Sequence, residues 1–245
     1  MLACACFAAL ALALPARAAE TRILFVGNNF VSANDLPGMF AAVAKSLGGA
    51  AHAEMIAPGG FSWQQHSQDK ATSGKISSGK WDFVVLQEQS QRPDWPERQL
   101  ASEVLPYGRQ LDKLIRSAGA RTVLYETWGH KKGDKNNCEH FPRTCTYEGM
   151  QGSITATYER LARETGATLA PVGAAWRQIR RNHPEIELYS GDGIHPSREG
   201  TYLAACVIYC AIFGKPVIRA DNQGIAAARA EIIRQAAQEA VFGGG

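Results

Sequence analysis

The stretch Arg22-Ile23-Leu24-Phe25-Val26-Gly27-Asn28-Asn29 decides the fold. An apolar, β-favouring run that stops on glycine reads as a buried strand, and the glycine lets the chain turn tightly into a helix. Residues 28 and 29 then stand at the end of that strand, presenting side chains and N–H groups at the top of the sheet. Further apolar runs at 53–56, 83–86, 123–125 and 168–172 are candidates for the other strands. Helical patterns at 36–46, 99–117, 152–165 and 174–182 separate or follow them, and a helical pair at 198–213 and 224–241 closes the chain. This alternation predicts an α/β, three-layer αβα sandwich with a parallel sheet of about five strands. In such sheets functional residues gather at the carboxyl ends of the strands.

With 245 residues, 45% of them hydrophobic, the chain can bury the core of one domain. The net charge of +3 comes from scattered Lys and Arg, and pairs such as Lys131-Lys132 and Arg180-Arg181 read as solvated faces. Nucleic-acid binding needs a denser basic stripe or a recognisable module, and neither is present. Residues 1–19 read as an export signal. The apolar run at 2–14 is shorter than the roughly 20 residues that span a bilayer, and Ala16-Arg17-Ala18 supplies small-x-small spacing before a cleavage site. Cleavage would leave 20–245 as a periplasmic or secreted domain without an integral membrane segment. Cys4 and Cys6 lie too close to the start to follow a full apolar region, which argues against a lipoprotein.

Export puts the remaining cysteines in an oxidising compartment. Cys138 and Cys145 flank a short polar loop and are expected to form a disulfide there. Cys206 and Cys210, one helical turn apart in an apolar helix, are expected as buried thiols. No second Cys/His pair follows with ligand spacing, so no metal and no organic cofactor is implied.

Several strand ends carry residues suited to chemistry. Asp192-Gly193-Ile194-His195-Pro196 places an Asp three residues before a His in a proline-fixed turn, and a carboxylate that orients an imidazole equips it as a general base. A surface loop before a helix explains the same residues equally well. Gly59-Gly60 permits close backbone approach, and Gln87-Glu88-Gln89-Ser90 offers amide N–H groups suited to a developing oxyanion. The irregular segment 128–149 is long enough to be an ordered flap over a site. Its Trp128 and Tyr147 could stack on a sugar or acyl group, or simply pack beneath the flap. His52, His66, His130, His140 and His183 are spread without ligand spacing; His66 fits a helix surface better than a site rim. Glu126 reads as structural.

Taken together, these blocks resemble the SGNH (GDSL-like) hydrolases, and in particular an exported bacterial branch whose first block reads Gly-Asn-Ser-(Phe/Tyr). The matching segments are Gly27-Asn28-Asn29-Phe30, Asn34-Asp35-Leu36-Pro37, Leu86-Gln87-Glu88-Gln89-Ser90, Thr127-Trp128-Gly129, Cys145-Thr146-Tyr147-Glu148-Gly149-Met150 and Asp192-x-x-His195-Pro196. The resemblance covers nearly the whole chain after residue 19 and implies a flavodoxin-like sheet and ester hydrolysis. It implies His195 as general base and Asp192 as its orienting partner. The N–H groups of residue 29 and Gly60, with the side chain of Gln89 or of Gln87, would form the oxyanion hole.

The nucleophile position falls on Asn29. An amide side chain has no hydroxyl to acylate, so this chain departs from the family at the reacting atom. Ser32, three residues on, and a water activated by His195 are the alternatives. Two functional readings follow. One is a lineage hydrolysing acyl esters, small or carbohydrate-borne, that is inactive at position 29. The other is a natural pseudoenzyme that holds a small ester or glycan without cleaving it.

Overall fold

The five apolar runs form the sheet. The structure, a computed structural model that describes residues 20–243, contains in order β1 (Thr21–Val26), α1 (Asn29–Ser32), α2 (Leu36–Ser46), β2 (Ala51–Ile56), α3 (Trp63–Gln68) and α4 (Lys70–Ser78). There follow β3 (Phe83–Leu86), α5 (Glu97–Gln99), α6 (Leu105–Ser117), β4 (Arg121–Tyr125) and α7 (Tyr147–Thr165). The last elements are β5 (Thr168–Ala170), α8 (Val172–Asn182), α9 (Arg198–Phe213) and α10 (Ala227–Phe242). The expected export signal at 1–19 lies outside the described residues.

All strands run parallel in the order β2-β1-β3-β4-β5. This is the flavodoxin-like order, with its switch point between β1 and β3. The order also decides where the helices go. Right-handed crossovers put α2 on one face as the chain steps outward from β1 to β2, and the later crossovers on the other as it steps back past β1. The two cores follow. Ile23 and Phe25 of β1 pack with α2, α8, α9 and α10, while Leu24 and Val26 pack against α3, α4, α6 and α7. Strand alternation thus feeds both faces from one apolar run.

Several elements differ from the sequence reading. Helices α3 and α4 are too polar to stand out by periodicity, yet Ser62 and Gln65 form a complete capping box at the start of α3. The predicted helix 99–117 is broken, because a π-helical turn at Leu100–Val104 precedes Pro106, which starts α6 afresh. Thr146 caps α7 earlier than predicted by accepting from Gly149 N, so the irregular segment ends at 146. Finally, β5 stops at Ala170 because Pro171 leads straight into α8.

Cys138 and Cys145 are disulfide-bonded, and Cys206 and Cys210 are buried free thiols. Among the described residues no helix is long and apolar enough to cross a membrane.

Candidate active site

The β1 exit is built so that nothing but glycine fits at position 27. A Cβ there would lie 2.4 Å from Gln87 Oε1 and 2.7 Å from a Val31 methyl. The Gly27 carbonyl accepts from His66 Nε2 at 2.8 Å, and His66 Nδ1 lies 3.0 Å from Thr72 Oγ1. His66 is therefore a buried strut beneath the turn, neither a surface residue of α3 nor part of a rim. Burial pushes its pKa down, which keeps the imidazole neutral in that role.

Asn28 caps α1. Its Oδ1 accepts from Phe30 N at 3.1 Å, its Nδ2 donates to the Phe61 carbonyl at 2.9 Å, and its own N–H donates to Gln87 Oε1 at 2.9 Å. Asn29 follows, exposed, as the first residue of α1, where backbone N–H groups have no intrahelical partner. Its Oδ1 accepts from Gly60 N at 2.9 Å. An amide carbonyl oxygen from residue 29 thus occupies the Gly60 N–H.

His195 and Asp192 arrive from the loop before α9. His195 Nδ1 and Asp192 Oδ2 are 2.6 Å apart, while Asp192 Oδ1 accepts from Ile194 N, His195 N and Ser190 Oγ at 2.9, 3.0 and 2.8 Å. Partial burial pushes the Asp192 pKa up, but its hydrogen bonds from His195, Ile194 and Ser190 outweigh this and hold the carboxyl well below the usual range. The turn needs Gly193 at φ +70°, and Trp128 Nε1 fixes it by donating to the Ile194 carbonyl at 3.0 Å. Phe30 meets the His195 ring edge-on at 5.5 Å, joining this loop to the start of α1.

Asn29, Gly60, Gln89, Asp192 and His195 all line one open cleft of about 920 Å³ at the carboxyl ends of the strands. Four residues sit otherwise than expected. Gln89 is in the cleft wall, but its side chain turns onto its own loop: Oε1 accepts from Gln91 N and Nε2 donates to Gln91 Oε1, at 2.9 and 3.1 Å. Gln87 is wholly buried beneath the β1 turn and donates to the Glu88 carbonyl, so it presents no amide to the cleft. Trp128 and Tyr147 offer no stacking face. Trp128 is fully buried against Phe30 and Trp176, and Tyr147 is buried beneath the Arg180 guanidinium. Both pack the cleft from behind. Ser32 is exposed at the end of α1 and is not among the residues lining the cleft.

Sequence reasoning missed a second polar pair in the same cleft. Ser90, on the loop after β3, lies with its Oγ 3.2 Å from His130 Nε2, on the loop after β4. Ser90 ends a block already conspicuous in the sequence, but nothing in local spacing ties it to a histidine forty residues away. Among the described residues no group of three or more His, Cys, Asp or Glu is placed to hold a metal ion.

Glu88, Glu126 and Asp94 are buried and do not line the cleft. Burial pushes Glu88 up to about 7, against hydrogen bonds from Gln89 N and Trp63 N and the charge of Arg92. Glu126 is likewise raised by burial to about 7, and Asp94 to about 6. Between the unfolded and folded values the unfolded chain has lost these protons while the folded chain keeps them. Stability is therefore expected to fall as pH rises from about 4.5 through about 7. Urea midpoints at about pH 5 and about pH 7.5 check this, and Glu88→Gln should flatten the slope by roughly 1 kcal/mol per pH unit. Groups with lowered values, such as Glu54 at about 2 through its hydrogen bonds to Lys75 and His52, lose their contribution only at more acid pH.

The fold has solved counterparts. A protein from Slackia heliotrinireducens described as a "putative SGNH hydrolase" superposes with TM-score 0.65 at 29% identity, over 79% of this chain and 100% of that one. The fold is that of the SGNH-type hydrolases. A DUF4886 family protein from Bacteroides uniformis superposes with TM-score 0.73 at 17% identity, over 91% of this chain and 95% of that one. An acetyl xylan esterase matches at TM-score 0.57 and 12% identity, over 78% of this chain and all of the other. No protein-family model matches the chain, and no curated protein does.

Proposed function

We propose that the cleft is an ester-binding site of SGNH type in which Asn29 stands where the nucleophilic serine acts in that lineage. One observation carries this reading: Gly60 N–H is aimed at the side chain of residue 29, in the same cleft as a His195–Asp192 pair 2.6 Å apart. An oxyanion hole requires a backbone N–H that faces the space beside the nucleophile where the substrate oxygen gains charge, and a general base requires a carboxylate-held imidazole. The acetyl xylan esterase and SGNH neighbours support acyl esters, including carbohydrate O-acyl esters, as the ligand class.

In the serine chemistry this site resembles, a hydroxyl at position 29 would pass its proton to His195 Nε2 and attack the ester carbonyl. Asn29 supplies no such oxygen, and its Oδ1 takes the hydrogen bond that the oxyanion would need. The chain as it stands therefore binds an ester or glycan without acyl transfer at residue 29. The bonded Cys138–Cys145 pair fits an oxidising compartment, periplasmic or secreted.

The test restores the hydroxyl. Asn29→Ser is expected to gain hydrolysis of a short-chain aryl acetate, and the gain should vanish when His195→Ala is added. An Asn29→Ser protein that folds but hydrolyses no faster than the parent overturns the reading.

A further inference from the structure

We propose that Ser90 and His130 form a second nucleophile–base pair, one strand over from Asn29, able to take an acyl group from an ester bound in the same cleft. The inference rests on the cleft being an ester site but not on what Asn29 does there.

A serine hydroxyl is a weak nucleophile unless a base lies within hydrogen-bond reach, and apo geometries are commonly looser than the working ones. Ser90 Oγ and His130 Nε2 are 3.2 Å apart, and both residues line the cleft that holds Asn29 and His195. The topology explains the closeness. The loops after β3 and β4 are neighbours, and β3 itself pairs with β1, so Ser90 emerges beside the Asn29 turn.

His130 is held rather than loose. Its backbone N–H donates to Met150 Sδ at 3.2 Å and its backbone carbonyl accepts from Gly133 N at 2.9 Å, which fixes the loop that carries the ring. Burial pushes its pKa down, so the ring rests neutral and can accept a proton; the charges of Asp134 and Asp192 favour the imidazolium, and that of His195 opposes it. Asp134 is itself fixed, accepting from Gln91 Nε2, Asn137 Nδ2 and Asn136 N at 2.7, 2.5 and 3.0 Å. Lys131 is neutralised by Glu187, but Lys132 and Lys135 on the same loop make no ion pair among the described residues and offer positive charge along the cleft.

The step balances without any further reagent. Ser90 Oγ–H passes its proton to His130 Nε2 as Oγ bonds to the ester carbonyl carbon. Collapse of the tetrahedral adduct breaks the ester C–O bond, and the leaving alcohol takes the proton from His130. Water then repeats the sequence on the acyl-Ser90, releasing the acid and the free hydroxyl.

The experiment uses an aryl alkylphosphonate, which transfers its phosphonyl group to an activated serine with loss of the phenol. Parent and Asn29→Ser proteins are treated in parallel, and adducts are located by intact mass and peptide mapping. The parent is expected to carry one adduct on Ser90, absent in Ser90→Ala and formed at least tenfold more slowly in His130→Gln. If the parent stays unlabelled while the Asn29→Ser protein is labelled on its introduced serine, Ser90 is a structural partner of His130; the proposal fails and the reading of position 29 stands. Labelling of Ser90 in both proteins, with the introduced serine unlabelled, supports the proposal and overturns that reading. If neither protein reacts, both are overturned. Peptide mapping of the parent needs no variant to fold, so the result does not hang on Ser90→Ala.

Discussion

In a Ser90→Ala background, where residue 90 can contribute nothing, Asn29→Ser should raise aryl acetate hydrolysis by about 10³-fold or more, the scale on which serine hydrolases lose activity when a triad member is removed. The prediction has two physical parts. The substitution supplies an oxygen nucleophile at a position whose neighbours already include the His195–Asp192 pair. It also vacates the Gly60 N–H, since a serine side chain is too short to place an acceptor where Asn29 Oδ1 now sits. Losing that exposed hydrogen bond costs about 1 kcal/mol of stability, small beside the roughly 4 kcal/mol of barrier that a thousandfold gain represents. Asn29→Ala separates the parts, because it frees Gly60 without adding a nucleophile. It is expected to leave hydrolysis near the parent rate. A gain from Ala comparable to that from Ser would mean that water, or another group, attacks in place of residue 29.

The structure gives this prediction its edge over the sequence. Read from the chain alone, Asn29 is a missing hydroxyl. Read in the fold, its Oδ1 also occupies the Gly60 N–H, so on the proposed reading one side chain both lacks the nucleophile and blocks an oxyanion donor. On that reading, a His195 ring held by Asp192 at 2.6 Å is compatible with a site that transfers no acyl group through residue 29.

What was legible in the sequence was set by burial. Strands β1, β3 and β4 are apolar because both sheet faces are covered, and that made their positions and the three-layer fold readable. The His195–Asp192 pair was readable because its geometry is local, closed within three residues. Contacts that depend on side-chain direction were not. Gln87 and Gln89 lie two apart near the end of a strand, and only the fold shows one buried under the β1 turn and the other folded onto Gln91. Likewise Trp128 is equally suited by composition to a ligand platform or a core, and the packing assigns it to the core. Ser90 and His130 meet across adjacent strands, a proximity that spacing in sequence does not encode.

Trp128→Ala is expected to carry the largest stability cost at the site, about 3–5 kcal/mol, the range for emptying a buried aromatic position. Its ring is wholly buried and stacks on Trp176 at 3.7 Å and on Phe30 at 4.7 Å, nearly parallel to both. These contacts link the start of α1, where Asn29 stands, to α8, and the Nε1 hydrogen bond to the Ile194 carbonyl adds the His195 loop. Urea unfolding should show the loss as a lower midpoint at unchanged slope. Trp128→Phe keeps a ring in the stack and removes the N–H, leaving the Ile194 carbonyl without its donor, which should cost about 1–3 kcal/mol. Placed in the Asn29→Ser background, the same change should lower kcat while leaving KM nearly fixed, because it loosens the loop that aims His195 and touches no ligand. A large rise in KM with kcat preserved would instead make Trp128 a binding surface and overturn its placement as a support behind the cleft.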